Sequence, residues 1–364
     1  MNVRFLTCLL ILALGAAAGP PPDGPPPDRA AALSRGVNIT GWFRYPASRD
    51  PAALGQWLSD AAIRDIRAAG FTFVRLPLDP ALMEDPAARE ALIAAIGRLH
   101  QAGLAVMTGP HPVGWRLEDS AADRGRLHRF WRDVAPALGR TGTGRTFPEV
   151  LNEPVFPGDA AGWQSLRDAV TAEIRAALPN ATIVLTGHDW GSAAGLLALT
   201  PSDDPKVIYT FHFYDPAELT GLAAYRPGLD RGALAALPFP VIDQGGCGAV
   251  AARASDAATG DLMRFYCAQR WDAAQISARI TAVADWARRH RATVVLGEFG
   301  AHAALNAPAR LAWLRAVREG CEAEGIGWAL WGYDDIMGLA VARPPSPRPR
   351  LDAAVLTALG LRPR

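Results

Sequence analysis

Lysine is almost absent from this chain: Lys206 is the only one, and the remaining positive charge is arginine. The formal net charge is only +1, so the chain lacks the concentrated basic surface that a nucleic-acid binder sets against phosphates. No G-x-G-x-x-G follows the first apolar strand segment, Gly36–Ile39, which argues against a dinucleotide-binding sheet. No G-x-S-x-G elbow supports a serine hydrolase. Neither H-E-x-x-H nor C-x-x-C occurs, so no metal and no cofactor is expected. Cysteine is scarce at four residues, and Cys8 lies in the N-terminal apolar run. Of the other three, Cys247 and Cys267 stand in what reads as a long loop, whereas Cys321 lies on an amphipathic helical stretch. An oxidising compartment would pair two of them, and Cys247 with Cys267 is the expected disulfide.

Long apolar runs are missing as well. The longest extends from Phe5 to Ala18, behind Arg4, and closes on the small residues Ala16, Ala17 and Ala18. It is shorter than the roughly 20 residues of a spanning helix and has the layout of a secretory signal peptide over residues 1–18. The expected destination is the periplasm or the exterior of a bacterium, with no membrane association after cleavage. Residues 19–32 read as a leader outside the fold, rich in Pro and Gly at its start. One domain is expected over 33–364, acting as a monomer.

What is present is alternation. Short β-branched segments occur at Gly36–Ile39, Phe71–Leu76, Leu104–Thr108, Glu149–Asn152, Thr182–Thr186, Val207–Phe213, Thr293–Glu298 and Gly327–Trp331. Between them fall segments of helical period, including Leu54–Ala69, Ala87–Ala102, Arg124–Leu138, Gly162–Ala177, Trp271–His290 and Ala307–Glu324. Eight such units in one chain of this length predict an α/β fold, a single (β/α)₈ TIM barrel. The stretch from Tyr214 to Arg270 is too long for an ordinary connection and is expected to fold on itself, as a lid or wall over the barrel mouth.

A barrel of this kind works at the carboxyl ends of its strands, and polar residues gather there: Arg75, His111, Asn152, Glu153, His212, Tyr214, Glu298 and Trp331. Glu153 and Glu298 each follow an apolar strand and precede a turn. Two carboxyls so placed fit glycosidic bond cleavage, where one protonates the leaving oxygen and the other attacks or activates water. An indole such as Trp331 offers a flat face for the C–H side of a sugar ring. Trp42, Trp115 and Trp190, each just after a predicted strand, are candidates for further sugar subsites.

The ordered set Phe73-Val74-Arg75-Leu76-Pro77, Asn152-Glu153-Pro154, His212-Phe213-Tyr214-Asp215-Pro216, Gly297-Glu298-Phe299-Gly300 and Trp328-Ala329-Leu330-Trp331 resembles glycoside hydrolase family 5, the cellulase-like retaining family. The resemblance spans nearly the whole mature chain. It implies Glu153 as acid/base, with its pKa raised, and Glu298 as an ionised nucleophile beside Arg75 and Tyr214. It further implies Asn152 on the sugar 2-hydroxyl, and His111 and His212 lining the same subsite. The expected substrate is a β-linked glycan, foremost β-1,4-glucan. Mannan, β-1,3-glucan, a glycolipid, or carbohydrate binding without turnover remain the alternatives.

Overall fold

A computed structural model of the protein describes residues 25–341 and 349–363. The expected signal peptide and Cys8 lie outside the described residues. Eight strands form one sheet: β1 Arg35–Asn38, β2 Phe73–Leu78, β3 Ala105–Pro110, β4 Thr146–Pro148, β5 Ile183–Thr186, β6 Val207–Phe213, β7 Val294–Phe299 and β8 Gly327–Leu330. Their order is β4-β3-β2-β1-β8-β7-β6-β5, every named pair is parallel, and helices link them. A single parallel bridge, Glu149 to Val184, joins the two edges and closes the barrel.

The sequence pattern explains the layers. Along β2, Phe73 and Arg75 point inward, while Val74 and Leu76 pack outward against the helices. Phe73, Met107, Phe147, Val184, Ile208 and Val295 fill the barrel floor. Gly36 makes room there, because a Cβ on it would come within 2.3 Å of the Phe73 ring. Arg75 and Glu298 stand above this floor on inward positions, so the apolar layer below them supports a polar layer at the mouth.

Three expectations need correction. The fourth strand is Thr146–Pro148, not Glu149–Asn152. Thr146, Phe147 and Pro148 pair with β3, after which Glu149 donates its N–H to Thr108 at 2.8 Å and Val150 donates to Val184 on β5 at 3.0 Å. Asn152 then donates back to Pro110 on β3 at 3.0 Å, so the segment read as a regular strand lies between β3 and β5 with irregular bonds to both. Gly109 permits this close approach, since a Cβ there would lie 2.1 Å from the Glu149 carbonyl oxygen. The leader over residues 19–32 is not wholly outside the fold: Pro27–Ala32 is a helix, and Arg29 bonds the Asn180 carbonyl at 2.5 Å. The helix expected over Leu54–Ala69 is two, Pro51–Gln56 and Asp60–Ala69. Ser59 accepts from Ala62 N–H and caps the second, a bond worth about 1 kcal/mol.

The excursion from Tyr214 to Arg270 carries four helices, Ala217–Thr220, Arg231–Leu234, Gln244–Ala251 and Ala257–Gln269. Cys247 and Cys267 form the expected disulfide between the last two. Cys321 is a buried free thiol. Asn306 ties the excursion to the helix Ala307–Ala323 through its amide bonds to Ala235 and Leu237. The two cavities flanking the strand ends take their walls from loops after β1 to β5 and from no part of the excursion. Its apolar residues join the outer core, while its first residue, Tyr214, reaches Glu298 at the mouth. Among the described residues no helix is long and apolar enough to cross a membrane.

Candidate active site

Arg75 is the hub of the site. It is fully buried, and a guanidinium there must satisfy five donors. It satisfies all of them: Nε and Nη2 donate to Glu149 at 2.7 and 2.9 Å, Nη1 to Asn38 at 2.9 Å and Glu298 at 2.5 Å, and Nη2 to Asn152 at 3.0 Å. Burial alone would weaken its charge, but Glu149 and Glu298 outweigh that and raise its pKa. Arg75 is therefore a fixed cation on the inner wall.

Glu298 owes its aim to a bulge. Phe211 pairs with Leu296 but His212 pairs with Glu298, so Gly297 is the extra residue. Only glycine fits, because a Cβ there would meet Thr210 Oγ1 at 2.4 Å. The Gly297 carbonyl accepts from Asn38 Nδ2 at 3.0 Å. Glu298 then takes the Arg75 bond on Oε1 and the Tyr214 hydroxyl on Oε2 at 3.0 Å. Burial and the Glu298 charge hold the Tyr214 phenol well above its ordinary pKa, which keeps it a donor.

Glu153 stands opposite, on the loop after β4. Its backbone φ is +41°, a left-handed conformation that costs a non-glycine residue roughly 1–2 kcal/mol. The turn brings its carboxylate to His212, whose Nδ1 is 2.9 Å from Glu153 Oε1 while its Nε2 is 3.5 Å from Glu298 Oε1. Ligand atoms of Glu153, His212 and Glu298 all lie within 4.8 Å of one another. That trio is the one candidate metal cluster among the described residues, but the Arg75 guanidinium already supplies a cation at Glu298 and would repel a second.

The other expected residues separate into two groups. His111 is 1% exposed, and its ring lies parallel to Trp331, 6.2 Å between centroids. Asn152 spends its carbonyl on Arg75 and keeps its amide Nδ2 free of protein partners. Trp331 is half-buried at the mouth, and Arg44 lies 5.6 Å from its ring centroid. Trp115 lines a cavity of about 660 Å³ with Arg44 and His111. Trp190 is 56% exposed and lines a cavity of about 290 Å³ beyond Glu153. Trp42 is the correction: it is fully buried, stacks on Trp57 and donates its Nε1–H to Leu54. It belongs to the core because its ring turns outward under the helix Pro51–Gln56 rather than into the mouth.

A family model described as cellulase (glycosyl hydrolase family 5) matches residues 34–335. The chain belongs to glycoside hydrolase family 5. Endoglucanase 3 of Fibrobacter succinogenes is 25% identical over 334 residues, covering 83% of this chain and 49% of that one. Cellodextrinase A of Ruminococcus flavefaciens is 22% identical over 318 residues, covering 82% and 84%. This family 5 chain thus spans about half the length of Endoglucanase 3. Among solved structures, endoglucanase Cel5A of Thermotoga maritima matches with TM-score 0.73 at 21% identity, over 91% of this chain and 98% of that one. Cellulose synthase subunit Z of Clostridioides difficile matches with TM-score 0.71 at 19% identity, over 90% and 99%. At these identities the structural likeness concerns the barrel fold.

In the family 5 chain the charges around the two glutamates differ from expectation. Burial drives Glu298 upward, and His212 and Arg75 pull it back only in part, so its pKa is raised. Burial also pushes Glu153 upward, but the hydrogen bond and charge of His212 outweigh it and leave the carboxyl lowered. His212 is itself raised, because Glu298 and Glu153 together overcome its burial. The three groups are thus coupled: His212 is favoured in its charged form by the two carboxylates that flank it.

Sequence reasoning missed Glu149, Asn38 and Arg44. Glu149 was detectable in principle, since a carboxylate among apolar strand residues needs a buried cation, and Arg75 sits in an equally apolar strand. It also missed Asp335, which burial and its neighbours Asp334 and Glu298 push up to about 6.

Proposed function

We propose that the chain is a retaining β-glycosidase that cleaves internal bonds of a β-1,4-linked glucan, with Glu153 as acid/base and Glu298 as nucleophile. The carrying observation is the spacing: ligand oxygens of the two glutamates lie within 4.8 Å. Retaining pairs stand about 5–5.5 Å apart, whereas inverting pairs need about 6.5–9.5 Å to admit a water. Relatives named as endoglucanases support the β-glucan substrate class.

In the first step a Glu298 oxygen attacks the anomeric carbon while Glu153 protonates the leaving glycosidic oxygen, and the C–O bond breaks. In the second, Glu153 takes a proton from water, whose oxygen displaces Glu298 and regenerates both carboxyls. Glu153 must hold a proton for the first step, and His212, whose Nδ1 lies 2.9 Å from its Oε1, is the group placed to supply it. A glycan that displaces water from the half-open Glu153 side chain disfavours its charged form, and the proton passes along the 2.9 Å bond from Nδ1 to Oε1. Arg75 and Tyr214 share the Glu298 charge as the bond to carbon forms. Asn152 Nδ2 is free to donate to a sugar hydroxyl, and Trp331 offers the stacking face. The Cys247–Cys267 disulfide supports an exported enzyme.

Hydrolysis of soluble β-glucans, mannans and aryl β-glycosides, with Glu298→Gln as the paired control, tests the reading. Turnover should fall by about 10⁴-fold or more in that variant, and the first-formed sugar should keep the β configuration by NMR. An α product first seen would refute retention.

A further inference from the structure

Arg44 presents the reverse of Arg75. It follows β1 and reaches into the cavity of about 660 Å³ that His111, Pro112 and Trp115 also line. Its guanidinium is fixed by rings, 4.8 Å from the Tyr45 centroid and 5.6 Å from that of Trp331, contacts that orient a planar cation by its face. Its edges are uncommitted. No donor of Arg44 has a protein acceptor or ion pair, and Nε is buried without a partner. Both ring nitrogens of the buried His111 beside it are likewise unpartnered.

Arg44 makes no ion pair, although its charge reaches Glu153 and helps lower that carboxyl. Arg49 on the same wall is paired with Asp79 at 2.5 Å, and Arg126 with Asp123 at 3.1 Å. Glu84 is the remaining lining carboxylate; it is exposed and makes no ion pair. One unpaired guanidinium therefore faces a cavity two of whose lining residues, Arg44 and His111, lie against the Trp331 ring.

We propose that Arg44 is an anion subsite for a carboxylate carried by the glycan, of the kind a uronic acid unit bears, on the same side of the cleft as Trp331. A single planar fork matches a carboxylate in two parallel N–H···O bonds. A neutral hydroxyl would use one of those donors and leave the charge uncompensated. Because the guanidinium lies against Trp331, the acidic unit is the sugar stacked on that ring or the next one beyond it. This rests on the glycosidase reading above and extends it to the substrate's charge.

The test compares kcat/KM for a cello-oligosaccharide with that for the same oligosaccharide oxidised to a carboxylate at C6. The parent protein, Arg44→Gln and Arg44→Lys are assayed on both, with folding checked by circular dichroism. The parent should favour the oxidised sugar by about tenfold, the size of one charge-assisted bond. The ratio should fall to about one or below in Arg44→Gln, and Arg44→Lys, which keeps the charge without the fork, should lie between. A parent ratio at or below one, or a ratio unchanged in a folded Arg44→Gln, overturns the proposal while leaving the glycosidase reading intact. If neither sugar is cleaved, the glycosidase reading fails. Calorimetric titration of the same two sugars into Glu298→Gln, with and without Arg44→Gln, then decides the subsite: tighter oxidised-sugar binding lost with Arg44 supports it, and equal binding overturns it.

Discussion

Removing the Glu149 charge should damage both the stability of the barrel and the titration of a carboxylate it never touches. Glu149 and Arg75 are both fully buried, and two of the five Arg75 bonds end on Glu149. Truncation to Ala strands those two donors, and losing one partner of a buried pair costs about 3–5 kcal/mol. Glu298 still offsets the guanidinium charge, so the expected loss is near the lower end, about 3 kcal/mol. At roughly 2 °C per kcal/mol for a large domain, Tm should fall by about 6 °C. Glu149→Gln preserves shape and isolates the charge. With Glu149 neutral, the Arg75 field falls on Glu298 alone and favours its ionised form. Burial otherwise raises Glu298, and the nucleophile is lost as pH falls through that pKa. The acid limb of kcat/KM should therefore shift to lower pH in Glu149→Gln. Guanidinium chloride unfolding and a pH–rate profile measure the two effects. A Gln variant within about 0.5 kcal/mol of the parent, with an unmoved acid limb, would refute the assignment of Arg75 as a shared counterion.

Tyr214→Phe deletes the O–H donated to Glu298 at 3.0 Å and should lower kcat about tenfold to a hundredfold; an unchanged kcat would show that this bond is idle in the reaction. Cys267→Ser opens a disulfide spanning 20 residues and should cost about 2–4 kcal/mol in denaturant titration, with early exchange confined to the excursion after β6 and not to the barrel strands. Asp335 is raised to about 6 in the folded protein, so the folded state binds more protons than the unfolded state between the ordinary carboxylate range and that value. Its contribution to stability is therefore lost as pH rises through that window. Asp335→Asn should gain stability relative to the parent on going from about pH 4 to about pH 7; the same difference at both pH values in urea titrations would contradict this.

How much of the site the sequence reveals depends on whether a residue's role is local or distant. Glu153, Glu298, Arg75 and Tyr214 were found because each lies at or next to the end of an apolar strand, and a parallel barrel sends all such ends to one mouth. Asn38 was not, although it bonds Arg75, because a lone amide in a strand carries no sign of its partner, whereas the buried carboxylate of Glu149 was a sign that went unread. The fourth strand was displaced for a related reason: Glu149 and Val150 are as strand-like as Thr146 and Phe147, but past Pro148 the regular ladder gives way to isolated bonds to both β3 and β5. Trp42 and Trp190 both follow predicted strands, yet one is sealed in the core and the other stands 56% exposed.

The sequence by itself pointed to the barrel, to the disulfide and to two strand-end glutamates that share one mouth, because alternation, residue type and spacing are properties of short segments. Tertiary structure decided that a glycine bulge turns Glu298 toward His212, that five buried bonds immobilise Arg75, and that none holds Arg44. Those outcomes depend on which side chains from distant strands share one small volume, and packing and desolvation settle that only once the barrel has closed.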